Sequence, residues 1–176
     1  MKNELLQQNQ RYNELINSLF TEIAPLSDEI LNRKPPGGGW SALQTIQHLI
    51  LTEELSLAYV KKKLSFDPKL EPAGLAARGR GFLLWLYLNT PFKFKAPKNV
   101  GDDNLPDHST LAEVQERWQK VRAAWTDFFA QMPDNLADKA LYKHPRAGRI
   151  GWPQMMAFFE THYHRHLKQI RNALKA

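Results

Sequence analysis

The sequence predicts an all-α fold, a four-helix bundle with one long crossover, and three observations predict it. Four segments repeat apolar residues at helical spacing, and capping boxes or prolines bound them. No stretch alternates apolar and polar residues as a half-buried strand would. The second and third helical segments are separated by Ser65 to Ser109, too long a connection for a simple up-down-up-down bundle.

The first helix is expected from Asn3 to Ile23, with Tyr12, Leu15, Leu19 and Ile23 facing inward, and Pro25 ends it. A short turn, Ser27 to Leu31, leads into RKPPGGG, whose prolines and glycines exclude a helix. The second helix starts at Trp40-Ser41, where Ser41 and Gln44 form a capping box. Leu43, Ile46, Ile50, Leu57 and Val60 carry its apolar face to about Leu64. Within the crossover, GFLLWLYL predicts a shorter extra helix, followed by a proline- and lysine-rich loop. The third helix opens at Thr110 with Glu113 in capping-box position and closes at Pro133. The fourth begins near Pro153, a residue favoured in the first helical turn, and runs to about Leu174. Residues 1–176 read as a single domain.

Composition narrows the function. With no cysteine, disulfides, a thiolate metal site and a cysteine nucleophile are excluded. The longest apolar run, Phe82 to Leu88, falls far short of the roughly 20 residues that cross a bilayer, and the N-terminus has no apolar leader core. A cytoplasmic protein without membrane contact is expected. The net charge of +6 gathers in Lys61–Lys63, in Lys93, Lys95 and Lys98, and in Lys143, Arg146 and Arg149. No nucleic-acid motif accompanies these residues, so they read as a solvated surface and nucleic acid is not an expected partner.

His162 and His166, in ETHYHRHLKQI, stand four apart, which stacks two imidazoles on one helical face. Met155, Phe159, Ile170 and Ala173 share that stripe, so the pair sits where apolar residues belong and needs a hydrogen-bond partner or a metal. His48, on the second helix, is the candidate third ligand. Three histidines from two helices leave a coordination position open, as reactive metal sites do. His164 falls on the opposite face, and His108 and His144 read as exposed. Arg146 or Arg149 offers a secondary phosphate or carboxylate contact. Trp40 reads first as a packing anchor and second as a pocket wall. Gln44, Glu53 and Gln169 are candidates to orient the ligands from behind, with a surface carboxylate the alternative for Glu53.

Two blocks, Lys34 to Glu53 and His144 to Ile170, resemble the "P…WS…HL" and "HP…G…H…H..Qi" segments of the DinB-like metal-binding four-helix bundle superfamily. The resemblance places that family's metal ligands on His48, His162 and His166; imidazole suits zinc, nickel, copper and iron, and a divalent transition metal, zinc or nickel first, is expected. Members include S-transferases that use bacillithiol and isomerases that use mycothiol. A low-molecular-weight thiol and an electrophile are therefore the expected substrates. A metal-dependent hydrolase on the same site is one alternative, and a non-catalytic dimeric bundle with a vacant or structural site is another. The extended middle segment departs from the shortest members. Phe82 to Leu88 is apolar all round the wheel and the resemblance favours dimers, so a homodimer is expected, with this segment either forming its contact or capping the bundle end within one chain.

Overall fold

The computed structural model describes residues 1–90 and 96–175. Lys93 and Lys95, and part of the lysine-rich loop, lie outside the described residues. Among the described residues, six α-helices and one small hairpin follow in the order α1 (Lys2–Ile23), α2 (Asp28–Asn32), α3 (Ala42–Leu64), α4 (Leu75–Leu88), α5 (Leu111–Gln131), β1 (Tyr142–His144), β2 (Gly148–Ile150) and α6 (Trp152–Leu174). Short 3-10 turns at Lys98–Val100 and Asp102–Asn104 interrupt the crossover. Among the described residues no helix is long and apolar enough to cross a membrane.

The helix ends obey their local chemistry. Both capping boxes form, Ser41 with Gln44 at α3 and Thr110 with Glu113 at α5. In the loop before α3, Gly38 (φ 78°) and Gly39 (φ 114°) adopt left-handed backbone that a side chain would strain. The small helix α2 then fixes the start of α5: Leu111 donates its backbone N–H to Asp28 Oδ1 at 2.8 Å, and Asn32 Nδ2 donates to the Ser109 carbonyl at 2.8 Å.

Four long helices form the bundle. Both α1 and α3 pack against α5 and α6, so the chain-consecutive pairs α1–α3 and α5–α6 lie across the bundle from each other. That arrangement accounts for the loops that carry the chain from α1 to α3 and from α5 to α6, whereas the longest connection, Ser65 to Ser109, joins the neighbours α3 and α5. Trp118, Trp125, Trp152, Tyr12, Tyr163, Phe129 and Phe159 fill the centre. Each such side chain contributes about 1.5–3 kcal/mol by leaving water.

One polar cluster shares this core. Glu53 accepts hydrogen bonds from Tyr12 Oη (2.8 Å), Trp118 Nε1 (3.0 Å) and Arg122 Nη1 (2.6 Å). Arg122 also donates to Asn13 Oδ1 at 2.8 Å and to Asn9 Oδ1, and lies 4.8 Å over the Tyr12 ring. Burial, then the Glu53 carboxylate, push the Tyr12 phenol well above its ordinary pKa. Glu53 is thus no surface carboxylate: it joins α1, α3 and α5.

The fold is all-α as the sequence predicts, with one small hairpin that the sequence pattern does not announce. Its strands have three residues each, with Tyr142 opposite Ile150 and His144 opposite Gly148, too short for alternation to emerge from the sequence. Helix α4 packs against α6 and β2, and at Gly81 an added Cβ would meet Gln154 Cγ at 2.3 Å. One stripe of α4 (Ala77, Leu84, Leu88) is buried, while Phe82, Leu83, Trp85 and Leu86 remain exposed.

Replacing Glu53 with alanine should destabilise the fold by about 3–5 kcal/mol, because it leaves the Arg122 charge buried and unpaired. Replacing Glu53 and Arg122 together with apolar residues of similar volume should recover most of that loss. Urea unfolding of the three proteins checks both statements.

Candidate metal centre

His48 comes from the second turn of α3, and His162 and His166 from successive turns of α6. Because these helices pack face to face, the three rings converge through their Nε2 atoms. His162 Nε2 lies 3.2 Å from His48 Nε2 and 3.0 Å from His166 Nε2. Nitrogens held about 2.0–2.1 Å from one tetrahedral zinc ion stand about 3.3–3.4 Å apart, so these two spacings are close to those of a shared ion, and all three ligand atoms lie within 4.8 Å of one another. Among the described residues these histidines form a group able to hold a metal ion.

Two acceptors behind the rings set the tautomers. His48 Nδ1 donates to the Val100 carbonyl at 2.7 Å, and His166 Nδ1 donates to Gln169 Oε1 at 3.0 Å. Each ring spends its only proton there, which leaves both Nε2 lone pairs directed at His162. In the metal-free protein a single His162 Nε2–H serves only one of them. A cation between the rings serves all three.

The surroundings keep the rings neutral. Burial lowers the His48 pKa, against the pull of the Val100 carbonyl. Burial drives His166 down to about 3, with His48 adding to the effect, and drives His162 well below its ordinary value, with His166 and His48 adding. Neutral imidazole is the metal-binding form. His48 is buried, whereas His162 and His166 keep partly accessible edges.

Aromatic rings flank the cluster. Trp40 lies 4.8 Å from the His48 ring and 6.3 Å from His166, and its Nε1 donates to Asp102 Oδ1. Phe158 stacks on His162 at 5.3 Å. The tryptophan that reads as a packing anchor is therefore also a wall of the site. Through Val100 and Asp102, the crossover reaches the centre twice.

The remaining candidates separate. Gln169 contacts the site. Gln44 bonds the Ser41 backbone N–H and the Pro106 carbonyl, and Glu53 bonds Tyr12, Trp118 and Arg122, so neither touches a histidine. His164 and His108 are exposed, as expected. His144 corrects the sequence reading. It is buried, because β1 turns Tyr142 and His144 inward and Lys143 outward. Its Nδ1 accepts the backbone N–H groups of Arg146 and Ala147, both at 3.2 Å, and its ring packs 4.5 Å from Phe158. Burial, then Arg146, bring its pKa to about 4.

A sequence model of the DinB superfamily matches residues 5–170. No curated protein and no solved structure matches the chain significantly.

Histidines buried in the neutral form make the metal-free fold acid-sensitive. An unfolded imidazole titrates near 6.5, buried His166 near 3 and buried His144 near 4, and burial lowers His48 and His162 as well, so the unfolded chain binds more protons in between. Their stabilising contribution is complete above about pH 6.5 and is lost as pH falls towards 4. Urea midpoints of the metal-free protein should fall over that window, and His144→Gln should flatten the fall; an unchanged slope in the variant would contradict the assignment.

Proposed function

The chain belongs to the DinB superfamily, and we propose that it is a metal-dependent enzyme that transfers a low-molecular-weight thiol to an electrophile. His48, His162 and His166 hold a divalent first-row ion, zinc or nickel. The observation that carries this reading is the convergence of three Nε2 atoms, two of them stripped of their proton by Val100 O and Gln169 Oε1. When bound, the ion supplies Lewis acidity that lowers the pKa of a thiol or water in its open position.

The chain's own residues supply the rest. Gln169 and the Val100 carbonyl orient the rings. Trp40 and Phe158 shield them from water on two sides and offer apolar faces to an organic electrophile. Because the chain has no cysteine, the sulfur nucleophile comes from a cosubstrate.

Untagged protein should carry close to one first-row metal ion per chain, and His162→Ala and His166→Ala should lose it. Gln169→Ala should weaken metal affinity about 10–100-fold while keeping helicity, since it removes the group that orients His166. The reconstituted protein should conjugate thiols to epoxides, haloalkanes or quinones. Ester hydrolysis without thiol would favour a hydrolase on the same residues, and absence of metal after reconstitution would overturn both readings.

A further inference from the structure

Outside the site, the most unusual surface is α4. Leu75 (83%), Phe82 (61%), Leu83 (63%), Trp85 (46%) and Leu86 (50%) are exposed along it. At about 100° per residue they cover an arc of about 160° on the side away from α6. Phe82 and Trp85 stack on each other, 5.9 Å between centroids, rather than on the bundle.

Charge says what this ridge meets. Neither α4 nor the hairpin beside it contains an acidic residue, while together they carry Arg78, Arg80, Lys143, Arg146 and Arg149. The two elements are locked together: Arg80 Nε donates to the Arg149 carbonyl at 2.7 Å, and the Arg146 guanidinium lies 5.4 Å from the Tyr87 ring. Arg78, Lys143, Arg146 and Arg149 are exposed. The nearest acidic residues in sequence, Glu71 and Asp138, lie before α4 and before β1, and Asp138 already pairs with Lys139 at 3.1 Å.

A second copy docking here across a two-fold axis would set this basic patch against itself. An exposed stripe of leucine, phenylalanine and tryptophan among arginine and lysine matches instead the way helices lie in a lipid headgroup region. Arg78 lies within the apolar arc, and its long side chain extends to the phosphates while its stem stays among apolar groups. We infer that α4 and the β1–β2 hairpin form a peripheral docking surface for anionic lipid bilayers. This replaces the expectation of no membrane contact with contact that does not span. It does not depend on the metal.

Vesicle co-sedimentation of the full chain tests it. The protein should bind phosphatidylcholine vesicles that contain phosphatidylserine, bind pure phosphatidylcholine far less, and release as salt rises. On binding, tryptophan emission should shift to the blue, because Trp85 is the most exposed tryptophan on this surface. Phe82→Ser with Trp85→Ser should reduce binding at least tenfold at unchanged helicity. Arg78→Glu, within the apolar arc, and Arg149→Glu, on the hairpin, should each reduce it by roughly fivefold or more. Absence of binding to anionic vesicles at low salt would overturn the inference. So would binding insensitive to Phe82 and Trp85, or a dimer that light scattering shows to split on Trp85→Glu, which would assign the ridge to a second copy.

Discussion

Packing of α3 against α6 is the contact on which the site depends. One helix sets two imidazoles a turn apart on a face, as α6 does with His162 and His166, and a third ring at the same point must come from a neighbouring helix. The same contact removes the rings from water, which keeps them neutral, and encloses them between Trp40 and Phe158. The diagonal placement of α1 from α3, and of α5 from α6, lets α3 and α6 meet along their length while α1 and α5 close the other side of the core.

Two polar clusters occupy this core, and each is satisfied differently. Glu53 and Arg122 neutralise one another and recruit Tyr12, Trp118, Asn9 and Asn13, so each guanidinium nitrogen and both carboxylate oxygens find partners within the protein. That cluster joins α1, α3 and α5 and specifies how they pack. The histidine cluster closes only partly. Val100 O and Gln169 Oε1 accept two protons from the outer side, while three nitrogens on the inner side share one proton. A buried group short of hydrogen bonds on one side only is a functional signature.

Helix boundaries were legible because capping chemistry is local: Ser41 with Gln44, Thr110 with Glu113, Pro25 and Pro153 each announce an end within a few residues. The histidine cluster was legible because an i,i+4 pair inside an apolar stripe conflicts with burial unless the rings find partners. Gln169 was legible by its spacing from His166. Val100 was not, since a backbone carbonyl leaves no mark in a side-chain sequence, and the crossover reaches the site only through tertiary structure. Glu53 and Gln44 have the right distance along the helix from His48 but point to α1, α5 and the crossover. His144 was missed because a three-residue strand is too short to show its alternation, and the proline after it reads as a loop.

The central claim is that protein acceptors fix the tautomers so that three Nε2 atoms face one point. Long-range ¹H–¹⁵N NMR of the metal-free protein tests it most directly. His48 and His166 should carry their protons on Nδ1, and adding zinc should shift the Nε2 resonances of all three histidines. Protons on Nε2 of His48 or His166, or a zinc-induced shift centred on Nδ1, would contradict the account.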